Sequence, residues 1–112
     1  MAHYSTVLDH RFGALADPTR RGVLARLGRT DASISALAAE FGMTLTGIKK
    51  HVQVLEEAGL VTTQKVGRVR TCRLGPERLD EEADWIAGYQ RMLEERLDRL
   101  GELLDRTSTE DP

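Results

Sequence analysis

Between Thr44 and Gly59 the apolar positions fall at helical spacing. Ile48, Val52 and Leu55 stand at i, i+4 and i+7 with polar residues between them, which predicts a helix with one buried stripe. Thr44 is placed to cap its start and Gly59 to end it. Upstream, Ser5 or Thr6 can start a first helix that runs to about Leu15. The stretch "ADPTRRGVLARLG" predicts a second, with Asp17 as N-cap, Pro18 at the first helical position, an apolar stripe of Val23, Leu24 and Leu27, and Gly28 just past the end. A third helix is expected from a cap at Ser35 through Phe41, terminated by Gly42 in the left-handed conformation. After Leu60 the period changes. "LVTTQKVGRVRTCRL" is rich in β-branched residues around a central glycine and predicts two strands joined at Gly67 as a hairpin. Pro76 interrupts the chain, and a final helix follows from about Leu79 to Asp105. Its apolar residues Ile86, Leu93, Leu97, Leu100 and Leu104 are flanked by favourable Glu95–Arg99 and Glu102–Arg106 pairs. The order is α-α-α-α-β-β-α, a mainly α chain of α+β class, with one domain over 1–106 and a disordered tail at 107–112.

The stretch 34–55 combines three of these features. Ala38 allows a second helix to approach, Gly42 takes a positive φ at the turn, and Ile48 anchors the second helix from below. This suits a helix-turn-helix, while an ordinary helical hairpin fits the same spacing. With Ile48, Val52 and Leu55 inward, the outward face carries Thr46, Gly47, Lys49, Lys50 and Gln53. Lysine can donate to guanine, glutamine can pair with adenine, and threonine can bond either base or phosphate. Gly47 costs such a helix about 1 kcal/mol relative to alanine; the expectation is that it clears a path for backbone to approach DNA. Thr44 puts a hydroxyl and free N–H groups where a phosphate can bind. In the hairpin, alternation places Cys72 and Leu74 on one face, with Lys65, Arg68 and Arg70 around the tip as a cationic wing. The same basic residues also suit an edge protected from pairing.

Charge sharpens this. The 112-residue chain is net −2, yet residues 44–74 hold six basic and two acidic residues, net +4, and residues 75–112 hold five basic and twelve acidic, net −7. A compact basic segment inside an acidic chain is the footprint of a nucleic-acid surface. Aromatic residues are 4% of the chain, so the core rests on aliphatics. No apolar run approaches the ~18 residues of a spanning helix, and "MAHYSTVLDHRFG" lacks the basic and apolar regions of a secretory signal. The expected location is the cytoplasm. Cys72 is the single cysteine, which excludes an intrachain disulfide; it reads as a small wing-core residue, with redox sensing as the alternative. Glu81, Glu82 and Asp84 read as solvated charge at a helix start. No nucleophile–base pair, phosphate-binding glycine loop or spaced metal set is present, so an enzyme is not expected, nor any cofactor.

Several motifs together resemble the ArsR family of bacterial winged helix-turn-helix repressors. "ALADPTRRGVLARL" resembles the family's opening. "ISALAAEFGMTLTGIKKHVQVLEEAGLV" resembles its helix-turn-helix, including His51, and "GRVRTCRL" resembles its wing. "DWIAGYQRMLEERLDRLGELL" resembles the last helix of a metal-independent subgroup. The resemblance implies a homodimeric repressor bound to an inverted-repeat operator in double-stranded DNA, dimerised through its first and last helices. The residues placed there are Leu8 and Phe12 in the first helix, and Trp85, Ile86, Tyr89, Leu93, Leu97, Leu100 and Leu104 in the last. A helix of that length spans roughly 40 Å, too long for its stripe to be buried on one small domain. A ligand-lining role for Trp85 and Tyr89 stands as the alternative. The family's metalloid sensors carry Cys-x-Cys where this chain reads Ser33-Ile34-Ser35, and serine offers no soft thiolate. Its zinc sensors use histidines on the last helix, where 79–105 holds none. A metal site is therefore not expected, and the inducer is unknown. A winged-helix module for protein–protein contact, using the acidic C-terminal segment, is the competing reading of function.

Overall fold

The structure, a computed structural model, describes residues 6–110, with side chains through residue 107. Two compact units divide between Arg78 and Leu79. The first contains helices α1 (Thr6–Leu15), α2 (Pro18–Leu27), α3 (Ile34–Glu40) and α4 (Leu45–Glu57), and strands β1 (Ala32–Ser33), β2 (Val61–Val66) and β3 (Val69–Leu74). The second is one long helix, α5 (Asp80–Glu110).

Local chemistry sets each helix boundary. Asp17 caps α2: its carboxylate accepts from the Arg20 N–H at 3.0 Å, and Pro18 follows at the first helical position. Thr44 caps α4 in the same way, its hydroxyl accepting from the Gly47 N–H at 3.0 Å. The α3 cap is two residues earlier than expected. Ser33, not Ser35, accepts from the Ala36 N–H at 3.0 Å, because starting there buries Ile34 as well as Leu37 and Ala38. Gly28 closes α2 in right-handed rather than left-handed geometry (φ −64°).

The end of α3 is a Schellman motif. Gly42 has φ 62°, its N–H reaches the Ala39 carbonyl at 3.3 Å, and the Met43 N–H reaches the Ala38 carbonyl at 2.9 Å. The chain reverses there and enters α4. Ala38 and Ile48 meet in the core with Val23, Leu37, Val52, Leu55 and Val61, among others. Ile48, Val52 and Leu55 are all buried, as their spacing requires.

The sheet departs from the expected order, which becomes α-α-β-α-α-β-β-α. Besides the β2–β3 hairpin it contains β1, giving strand order β1-β3-β2, antiparallel throughout. Ala32 pairs with Cys72 and Ser33 with Thr71. Two residues show no alternation, so the sequence carried no strand signal there, but they cover the edge of β3 at its buried half. Gly67, φ 63°, is the first of two loop residues between β2 and β3, the position at which a type II′ hairpin turn needs a positive φ. Cys72 is fully buried, whereas Leu74, expected on the same face, is exposed at the end of the strand.

α5 begins with Asp80, Glu81 and Glu82 in its first turn, complementing the positive end of the helix. It continues past the expected end near Asp105 into the segment read as tail, and the Thr107 hydroxyl donates to the Leu103 carbonyl at 2.9 Å. Residues 111–112 lie outside the described residues. Glu82, read as solvated, is instead buried. The stripe itself is open. Trp85, Ile86, Tyr89, Leu93, Leu97 and Leu100 are exposed, and Leu104 reaches 68% exposure. Trp85 and Tyr89 stack, ring centroids 5.9 Å apart and 8° from parallel. Leu8 and Phe12, in the first unit, are half-buried.

Candidate nucleic-acid interface

The outward face of α4 and the β2–β3 hairpin lie side by side. Thr46, Lys49, Lys50 and Gln53 are exposed on α4, and Lys65, Arg68 and Arg70 are exposed on the hairpin. A groove of about 410 Å³ runs between them, lined by Lys49, Lys65, Arg68 and Arg70 with Ser33 and Ser35 of α3's start. A second groove of about 340 Å³ continues along α4 past Lys49, Gln53, Glu56, Thr63 and Arg70. The structure therefore brings Lys49 of the helix beside Lys65, Arg68 and Arg70 of the wing, with Gln53 further along. Lys50 and Thr46 line neither groove. Among the described residues Lys49, Lys50, Lys65 and Arg68 make no ion pair. The chain's other lysine, Lys65, lines the first groove with Lys49.

Some of these side chains are positioned by partners that spacing did not reveal. The Arg70 guanidinium donates to the Thr63 hydroxyl at 2.9 Å, and that hydroxyl donates to Glu56 at 2.9 Å. A wing arginine is thus tied, through one threonine, to the body of α4. Gln53 donates to Glu57 at 3.2 Å, so its amide must exchange that partner before meeting a base. Thr44's hydroxyl oxygen is occupied as the cap acceptor, and its hydrogen remains available to a phosphate oxygen.

His51 is held from the side. The Arg20 guanidinium donates to its Nδ1 at 3.2 Å and also to the carbonyls of Ala14 (2.8 Å) and Gly13 (3.1 Å). Arginine has only donors, so Nδ1 is the acceptor and the ring proton sits on Nε2. Asp17 lies 3.9 Å from the same nitrogen. Arg20 was not among the residues predicted for the site. It braces α4 against the end of α1, where partial negative charge accumulates on the carbonyls. Asp17 itself is held below the ordinary carboxylate value of 3.8, first by the Arg20 N–H, against some burial, with His51 and the Arg20 guanidinium adding.

Gly47 acquires an intramolecular reason. A Cβ built there would stand 3.2 Å from both the Met43 methyl and the Thr44 hydroxyl. A side chain there would press on the cap, a local role that stands beside the expected clearance for DNA. Cys72 lies beneath the wing, and burial pushes its thiol up, with Glu56 adding and Arg70 opposing. A protonated, buried thiol is a packing group and a poor nucleophile.

Residues 15–64 match the helix-turn-helix domain family. Over 82 residues the chain is 24% identical to the transcriptional repressor SdpR of Bacillus subtilis, covering 73% of this chain and 91% of that one. The crystal structure of an ArsR family transcriptional regulator superposes with TM-score 0.73 at 46% identity, over 84% of this chain and 97% of that one. The homodimeric winged helix-turn-helix DNA-binding domain of Mb0332 from Mycobacterium bovis, a possible ArsR-family transcriptional regulator, superposes with TM-score 0.60 at 25% identity, over 88% and 95%.

Proposed function

This chain belongs to the ArsR family of helix-turn-helix transcriptional regulators, and from that premise we propose that it is a homodimeric repressor that binds an inverted-repeat operator and works without the family's metal-sensing sites. The observation that carries the DNA-binding part is the set of cations on α4 and the wing, which have no ion-pair partners among the described residues and face one surface. In this reading Thr44, Thr46, Gly47, Lys49, Lys50, His51 and Gln53 serve the recognition helix and Lys65, Arg68 and Arg70 the wing, with both DNA binding and dimerisation in residues 1–106. His51 acts as a brace on Arg20, with its Nε2 proton left to donate.

The open stripe on α5 supports the dimer. A helix exposing this many leucines carries an apolar stripe that calls for a partner, and a second copy covers it with the same residues by two-fold symmetry. Leu8 and Phe12 are assigned to the same interface. Dimerisation then sets two α4 helices about one DNA turn apart, roughly 34 Å, which matches an inverted repeat. Repression follows where that operator overlaps a promoter, and SdpR is called a repressor in its own right. Independence from metal rests on Ser33 and Ser35: Ser33 is committed to capping α3, and neither provides a thiolate. No described helix is long and apolar enough to cross a membrane, and a regulator of promoters is placed in the cytoplasm.

The test is a fluorescence-anisotropy titration of the protein with its own promoter fragment and with a scrambled duplex, repeated across salt. Nanomolar, selective and steeply salt-dependent binding is expected, because each neutralised phosphate releases condensed counterions. Equal affinity for both duplexes at moderate salt would overturn the reading. Elemental analysis of the purified protein is expected to find no stoichiometric zinc or arsenic.

A further inference from the structure

Lys49 and Lys50 are neighbours in sequence but not in setting. Lys49 lines both grooves between α4 and the hairpin, and Lys50 lines neither. Around the groove of about 410 Å³, Lys49 is joined by Lys65, Arg68, Arg70, Ser33 and Ser35, and no carboxylate lines it. Two of these cations are cross-strand neighbours. Lys65 and Arg70 stand directly opposite each other in the β2–β3 register, an arrangement that destabilises a hairpin when the charges are alike. Arg70 is oriented by Thr63 and, through it, by Glu56.

A concave surface with four cations, two serines, a like-charge cross-strand pair and a steered guanidinium is complementary to a compact polyanion. We infer that this groove is a seat for a single phosphoryl group, and that on DNA it holds one backbone phosphate. Lys49 is then the anchor of the backbone, and the base-edge contacts of α4 fall to Thr46, Lys50 and Gln53. Glu56 is a positioning residue, acting through Thr63 on Arg70. The inference deepens the DNA-binding reading above and rests on it for the source of the phosphate.

Two measurements on the full chain separate the seat from that reading. In an amide-resolved NMR titration, inorganic phosphate is expected to move resonances of Ser35, Lys49, Lys65, Arg68 and Arg70, relative to chloride at equal ionic strength. The shifts should be lost in Lys65→Ala. No movement there overturns the seat, whatever the protein does with DNA. In anisotropy titrations, Lys49→Ala is expected to weaken the promoter fragment and a scrambled duplex by the same factor. That factor is about 8-fold at 0.1 M salt, the value of one phosphate at a slope of ~0.9, and the salt slope falls by about 1. Lys50→Ala is expected to weaken the promoter fragment more than the scramble. Loss of promoter preference in Lys49→Ala overturns the backbone assignment. So does a phosphate-responsive groove whose Lys49→Ala variant binds duplex as the wild type does, since the occupant is then a free anion. A wild type that prefers no duplex refutes the DNA reading itself, and the phosphate titration still decides the seat.

Discussion

Gly42→Ala isolates the conformational cost of the turn between α3 and α4. Gly42 has φ 62°, and a Cβ added there meets nothing within 4 Å. The substitution therefore carries no steric collision, only the preference of an L-residue for the right-handed region. That preference amounts to roughly 1–2 kcal/mol. Against it, alanine reduces the freedom of the unfolded chain and recovers about 0.4–1 kcal/mol. The net is a destabilisation of about 0.8 kcal/mol, near 3–6 °C in Tm for a domain of this size. Gly42→Asn should recover a good part of it, because asparagine visits the left-handed region at lower cost. Urea unfolding followed by circular dichroism, at fixed protein concentration because a dimer's stability depends on it, measures both variants. A Gly42→Ala protein as stable as wild type would refute the left-handed turn. A loss above about 3 kcal/mol would mean that the site is crowded, contrary to the open space in the structure.

Other consequences can be measured directly. Ile48→Ala empties a fully buried position and should cost about 3 kcal/mol, whereas Lys50→Ala on the opposite face should stay within ~0.5 kcal/mol; equal costs in unfolding would mean that the faces of α4 are misassigned. Asp17 titrates below its unfolded value, so its contribution to stability is present above that unfolded value and is lost as pH falls through the folded one. Asp17→Asn should thus flatten the acid limb of a stability–pH curve while changing little of its shape above pH ~6, and an unchanged acid limb would contradict the cap. Leu93→Glu with Leu100→Glu should convert the dimer to a monomer in light scattering and weaken promoter binding by about 100-fold or more, since linking two modules raises avidity by ~10²–10⁴; a persisting dimer would move the interface off α5.

What could be read in advance was what short-range chemistry decides. Asp17 before Pro18, and Thr44 before the Ile48-Val52-Leu55 stripe, announced two capped helices, because a cap and its acceptor lie within three residues. Gly42 and Gly67 marked two chain reversals, because only glycine reaches those backbone angles without cost. The choice between Ser33 and Ser35 as the α3 cap was not legible: both have the right chemistry, and burial of Ile34 decides. β1 was missed because two residues carry no period and its existence depends on Cys72 and Thr71, some forty positions later. The same holds for the site. The basic face of α4 and the wing followed from charge and period, but the Arg20–His51 brace spans 31 positions. The Glu56–Thr63–Arg70 link joins a helix to two strands. The closeness of the Met43 methyl to Gly47 could not be read from the spacing, because it depends on how the turn before α4 folds. Lys49 and Lys50 looked equivalent until the hairpin was set beside one of them.

The chain has only three lysines, Lys49, Lys50 and Lys65, and all lie on the proposed DNA face. Acetylation of the full-length protein with and without its promoter duplex, resolved by mass spectrometry, therefore reads the central claim residue by residue. The expected result is protection of all three lysines by the promoter duplex, at a concentration and salt where the scrambled duplex stays unbound and protects none. Lysines that remain as reactive on a saturating promoter duplex as in the free protein would contradict the account.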